Sequence, residues 1–269
     1  LYFIKKFGGE KMAKIITFGI QKGGSSKTTT SGIVSYLLAQ EGYKVLAVDM
    51  DSQGNLTDLL TQRDITYFEG KTILDAFQTG NVNDYIYKVN ENLSVLPSDD
   101  YLATLSQFLY GTYSKKGGKI PFLLKESLES IKDDYDFIII DTPPSLSEPM
   151  INSLCASDYV VVLCESSKWA FTAIERFLET IVHAQMNYNS DLKVVGVLRN
   201  LIDSRRTDSQ AIAELIAEKY PDIVFPQIIK RRAQTGRISL NGLYDNPEIK
   251  GALVEYLPFY EELKKRVNI

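Results

Sequence analysis

The chain alternates short, continuous apolar runs with longer segments in which apolar residues recur every three or four positions. Residues 14–20 carry Ile15, Ile16, Thr17, Phe18 and Ile20 and predict a buried strand. Residues 28–40 place Ile33, Val34, Leu37 and Leu38 at helical spacing, with Gly42 as the stop. Further apolar runs at 44–49, 135–140, 159–164 and 192–198 predict strands, and 170–185 and 208–220 predict helices, the latter ended by Pro221. A short run at 223–229 is interrupted by Pro226, which places it near a sheet edge. Residues 248–267 are helical in pattern and expected to break at Pro258. This alternation predicts an α/β fold: a doubly wound, mostly parallel sheet of about seven or eight strands with helices on both faces.

No repeat, low-complexity tract or linker divides the 269 residues, so 12–269 reads as a single domain. Met12 stands just before the first strand, and residues 1–11 read as an N-terminal extension or an expression remnant. No stretch is long and apolar enough to cross a bilayer, and a cytoplasmic location is expected. The net charge of −4 argues against a generally basic nucleic-acid binder, so any DNA contact must come from a local patch. Cys155 and Cys164 lack a CxxC partner and read as reduced structural thiols. The single histidine, His183, lies in a predicted helix, which disfavours His-based catalysis or a His-rich metal site.

Between the first strand and the first helix stand Lys22, Gly23, Gly24, Ser25, Ser26, Lys27, Thr28 and Thr29. Strand, glycine-rich turn and helix form an arrangement that binds phosphate through backbone N–H groups and the positive end of the helix dipole. In it Lys27 reaches the β- and γ-phosphates and the Thr28 hydroxyl ligates Mg²⁺. The standard pattern GxxxxGK[ST] is not met, because Gln21 and Ser26 occupy its glycine positions. What fits is xKGGxxK[ST], with the extra lysine Lys22 before the glycine pair. The bland alternative is a Gly/Ser loop with solvated lysines. Two further strand ends weigh against it: Asp49, followed by Asp51, Gln53, Gly54 and Asn55, and Asp141, followed by Thr142, Pro143 and Pro144. Polar groups at several strand ends mark the ligand edge of an open α/β sheet. A second lysine–glycine stretch, 115–119, has no apolar strand before it and reads as a solvated turn.

These three segments, in this order, resemble the ParA/MinD superfamily of deviant Walker A ATPases, specifically its small ParA/Soj-type members. The resemblance covers nearly everything after Met12, with Ser52 where proline is usual and Ser26 where many relatives carry glycine. It implies a weak, partner-stimulated ATP hydrolase with ATP and Mg²⁺ as cofactors. Thr28, Asp49 and Asp141 would serve the metal, Asp51 would activate water, and Lys22 would reach the partner subunit's nucleotide in an ATP-dependent homodimer. Asn200, just past a strand, is a candidate adenine contact. The segment 229–239 corresponds to a basic loop, so Lys230, Arg231, Arg232 and Arg237, extended by Arg205 and Arg206, are candidate contacts to non-specific duplex DNA. An equal alternative for that cluster is ordinary solvated charge.

The resemblance implies DNA partition with a ParB-like centromere-binding protein, at a nucleoid-associated location. The alternative is an ATP-dependent positioning or regulatory switch acting on a protein cargo. Membrane binding of the MinD kind is disfavoured, because Glu255, Pro258, Glu261 and Glu262 interrupt the C-terminal apolar pattern.

Overall fold

The computed structural model describes residues 12–24, 26–165, 167, 169–203 and 205–269. Residues 1–11, expected to be an N-terminal extension or expression remnant, and Ser25 therefore lie outside the described residues. Eight strands form one sheet in the order β3-β4-β2-β5-β1-β6-β7-β8. They are β1 Lys14–Gly19, β2 Val45–Asp49, β3 Tyr87–Lys88, β4 Leu93–Leu96, β5 Phe137–Asp141, β6 Tyr159–Glu165, β7 Lys193–Ile202 and β8 Val224–Lys230. Only β3 runs antiparallel, against β4. The pairings of β1, β2 and β4 to β8 are parallel, as the sequence predicts.

Six of the helices position the site or close the fold: α1 Lys27–Gln40, α2 Asn55–Thr61, α3 Glu148–Ala156, α4 Ala170–Asn187, α5 Thr207–Lys219 and α6 Leu257–Arg266. Side chains alternate faces along a strand, so a sheet covered on both sides needs apolar residues at every position. In β2 and β5 this holds at every position before the closing aspartate. Val45, Ala47, Phe137 and Ile139 share a buried cluster with Ile33, Val34, Leu37 and Leu38 of α1. Leu46, Val48, Ile138 and Ile140 belong to a second cluster, with Ile73, Phe77, Leu105 and Leu124.

One expectation about proline holds and another shifts in detail. β8 is the outermost strand and Pro226 is exposed on it, which is where a residue without an N–H does least harm. The C-terminal break falls before Pro258, not at it: Pro258 sits in the first turn of α6, where its missing N–H has no intrahelical partner to lose. The 115–119 stretch forms an exposed turn with Gly117 at φ 89°, as read from sequence.

Candidate nucleotide site

β1 lies inside the sheet between β5 and β6, and the chain leaving it turns directly into α1. Gly24 adopts φ 74°, a left-handed conformation that glycine takes without the Cβ penalty. Ser26, the residue that departs from the common glycine, adopts it too, at φ 59° and ψ 33°, immediately before the helix. Its carbonyl accepts from the Thr30 amide at 2.9 Å and from the Thr30 hydroxyl at 2.8 Å.

Lys27 is 6% exposed, and its Nζ donates to the Lys22 carbonyl at 3.1 Å, closing the loop on itself. Burial lowers the pKa of this ammonium, while the carboxylates Asp141 and Asp51 raise it. A buried ammonium among hydrogen-bond donors is a site suited to an anion. Thr28 donates to Asp141 Oδ2 at 2.6 Å, and Ser31, one helical turn on, donates to Asp141 Oδ1 at 3.1 Å.

Asp141 and Asp49 end neighbouring strands in register, and both are fully buried. Burial pushes Asp49 up to about 7, with Asp141 adding to it and the bonds from Thr57 and Asp51 opposing. Burial likewise pushes Asp141 up to about 6, against the opposing pull of Thr28, Lys27 and Ser31. Two crowded carboxylates beside a threonine hydroxyl suit a hard, oxygen-loving cation. The described residues hold no cluster of three or more His, Cys, Asp or Glu able to bind a metal. A Mg²⁺ ion here would therefore draw most of its ligands from phosphate and water, which is its usual habit.

Asp49 is spent on bracing. Its Oδ2 accepts from the Thr57 amide at 2.9 Å and the Thr57 hydroxyl at 2.8 Å, and its Oδ1 accepts from the Asp51 amide at 3.2 Å. It thereby fixes the turn that carries Asp51. Gly54 in that turn sits at φ 61°, and a Cβ there would lie 2.6 Å from Ile65. Asp51 is 9% exposed and its pKa is raised, chiefly by burial.

Lys22 is held within its own chain. Its Nζ donates to Glu165 Oε2 at 2.9 Å and to Ser167 Oγ at 2.8 Å. A cavity of about 430 Å³ opens beside it, lined by Gln21, Lys22, Trp169, Thr172, Ala173 and Arg176.

Asn200, the expected adenine contact, faces the interior. It is fully buried, with Nδ2 donating to the Thr30 hydroxyl at 3.1 Å and Oδ1 accepting from the Leu201 amide at 2.8 Å. These bonds make it an internal brace between β7 and α1. The basic cluster is also less free than its sequence implies. Lys230 is exposed, but Arg231 meets Glu165 at 3.3 Å, Arg232 meets Glu255 and Arg237 meets Glu248 at 2.7 Å. Arg205 and Arg206 pair with Asp203 and Asp208.

Sequence reasoning missed Ser31, Thr57, Thr30 and Glu165. Thr57 closes the segment that begins at Asp49 and Ser31 sits one turn beyond Thr28, so both had a positional signal. Glu165 and Thr30 had none, since only the fold brings Glu165 to Lys22 or Thr30 to Asn200.

Comparison with known proteins decides the family. A family model described as an AAA domain matches residues 13–194. The sporulation initiation inhibitor protein Soj of Bacillus subtilis is 36% identical over 259 residues, covering 94% of this chain and 98% of Soj. The chain belongs to the ParA/Soj-type P-loop ATPases. Among solved structures, a putative plasmid partition protein of Borrelia burgdorferi bound to AMPPNP superposes with a TM-score of 0.74 at 27% identity, covering 95% of this chain and 98% of that one. The cobyrinic acid a,c-diamide synthase of Mycobacterium smegmatis, with bound ADP and magnesium, reaches 0.74 at 30% identity over 85% of this chain and 91% of that one. This ParA/Soj-type fold therefore also resembles a biosynthetic enzyme.

Proposed function

We propose that this chain is a DNA-partition ATPase that binds Mg·ATP in the loop from Lys22 to Thr29, dimerises with it and hydrolyses it weakly until a ParB-like protein stimulates it. The observation that carries the nucleotide part is the buried Lys27 ammonium at the mouth of a glycine-rich turn, beside the Thr28–Asp141 pair. Phosphoryl transfer asks for positioning and charge stabilisation more than covalent chemistry. Lys27 neutralises charge on the terminal phosphates. Thr28 would hold Mg²⁺ through its hydroxyl, the ion would supply charge shielding to the phosphate oxygens, and Asp141 orients that hydroxyl. Asp51, held by the Asp49 brace, aligns the attacking water and accepts its proton. Lys22 exchanges its hold on Glu165 for the partner subunit's nucleotide, which makes ATP the bridge of a homodimer.

Lys230, Arg231, Arg232 and Arg237 supply the DNA part, placing the protein on the nucleoid. Each subunit contributes half of a phosphate-binding surface, so dimerisation raises affinity by avidity. One observation favours the second reading, a switch that positions a protein cargo: Arg231, Arg232 and Arg237 are each already paired with a glutamate. Titrating random-sequence duplex DNA with ATP, with ADP and without nucleotide separates the two. Partition predicts tight, salt-sensitive binding in ATP alone, with a slope set by the phosphates neutralised. An ATP dimer that ignores DNA supports the protein-cargo switch.

A further inference from the structure

Thr30, Asn200 and Tyr256 come from three distant parts of the chain and meet, each fully buried, beneath the first turn of α1. Asn200 is fixed at both ends of its amide, by the Leu201 N–H at 2.8 Å on one side and onto the Thr30 hydroxyl at 3.1 Å on the other. Leu201 reaches that position through φ 55°, a left-handed backbone that a side chain as large as leucine disfavours. The Thr30 hydroxyl passes the contact on, donating to the Ser26 carbonyl at 2.8 Å. The Tyr256 hydroxyl lies against Thr30 and Asn200 without a well-formed hydrogen bond to either.

The consequence runs through one peptide plane. In a trans peptide the carbonyl of one residue and the N–H of the next point in opposite directions. Anchoring the Ser26 carbonyl down into α1 therefore aims the Lys27 N–H outward, toward the mouth of the loop. Ser26 carries the left-handed backbone and receives no side-chain cap, so nothing in its own side chain holds that peptide. We infer that Asn200 is a positioning residue for the phosphate loop, acting through Thr30 on the Ser26 peptide, and that it does not read the adenine base. Tyr256 ties the same junction to the C-terminal segment.

This inference rests on the nucleotide-binding reading, and the two fail differently. Affinities of the wild-type protein for ATP, GTP and inorganic tripolyphosphate, each with Mg²⁺, are compared with those of Asn200→Ala, Thr30→Val and Thr30→Ser. A positioning role predicts that Asn200→Ala and Thr30→Val weaken all three ligands by a similar factor, about fivefold or more, because the phosphate cradle is common to them. Thr30→Ser keeps the hydroxyl and should restore binding to within about twofold of wild type. If Asn200→Ala fails to fold, the Val and Ser variants at Thr30 carry the test. Loss of ATP affinity in Asn200→Ala with tripolyphosphate unchanged would mark Asn200 as a base contact and overturn the inference. Unchanged binding of all three by Asn200→Ala, or by Thr30→Val, would overturn it as well. Wild-type protein that binds none of the three would instead refute the nucleotide reading itself.

Discussion

Asp49 and Asp141 end adjacent strands in direct register, both buried, both held protonated well above the pH at which an exposed aspartate ionises. Such a pair is costly to keep charged, and its retention at the carboxyl edge of the sheet fits a place that receives a cation.

The pair makes stability depend on pH in a defined direction. Folding raises Asp49 from 3.8 to about 7 and Asp141 from 3.8 to about 6, so the native state binds more protons than the unfolded chain between about pH 4 and 7. Their contribution to stability is fully present below about pH 4 and falls as pH rises through that window. Asp49→Asn should therefore flatten the decline in Tm between pH 5 and 7.5 in nucleotide-free protein. Identical slopes for the variant and the wild type would contradict this.

Ser26 tests the strain of the loop. Its left-handed backbone costs a residue with a Cβ roughly 1 kcal/mol. Glycine would remove that cost but add a similar amount of chain entropy, so Ser26→Gly should change stability by under about 0.5 kcal/mol. Ser26→Val, branched at Cβ, should lose about 1 kcal/mol or more. Urea denaturation of both variants measures the difference. A large stabilisation by glycine would mean that the serine strain is greater than its dihedral angles imply.

The dimer prediction turns on Lys22. Its ammonium is held by Glu165 and Ser167 within the same chain, an interaction about a quarter exposed and worth at most about 1 kcal/mol. Lys22→Ala should keep nucleotide binding and lose ATP-dependent dimerisation and turnover. Asp51→Ala should trap the ATP-bound dimer. Glu165→Gln, by releasing Lys22, should lower the ATP concentration needed for dimerisation by up to about fivefold. Sedimentation velocity with ATP reads all three, and a monomeric Asp51→Ala with ATP bound would rule out the bridged dimer.

Much of this was legible in the sequence because it depends on local pattern. β1, β2, β5, β6 and β7 are continuous apolar runs, and α1, α4 and α5 carry helical spacing, so each shows itself within a dozen residues. Pro226 told the edge strand by the same local logic. What stayed hidden was short or non-local. β3 has two residues and β4 four, too few to display a period. The helix Ile73–Thr79 was unread although Thr72 and Asp75 form a capping box there. Asn200 reads as an adenine contact because it stands just past an apolar run, where an open sheet presents its ligand edge, whereas its burial under α1 is a property of three distant segments meeting. The arginine cluster looked free because Glu165, Glu248 and Glu255 lie up to 66 residues away along the chain.

The central claim is that the loop from Lys22 to Thr29 holds Mg·ATP, and calorimetric titration of wild-type protein and Lys27→Ala with Mg·ATP tests it most directly. Lys27 is the buried ammonium at the mouth of that loop. The account predicts saturable binding by the wild type and a loss of at least about a hundredfold in Lys27→Ala, as expected on removing a buried charge-assisted contact of about 3 kcal/mol. Equal affinity in a folded Lys27→Ala protein would contradict it.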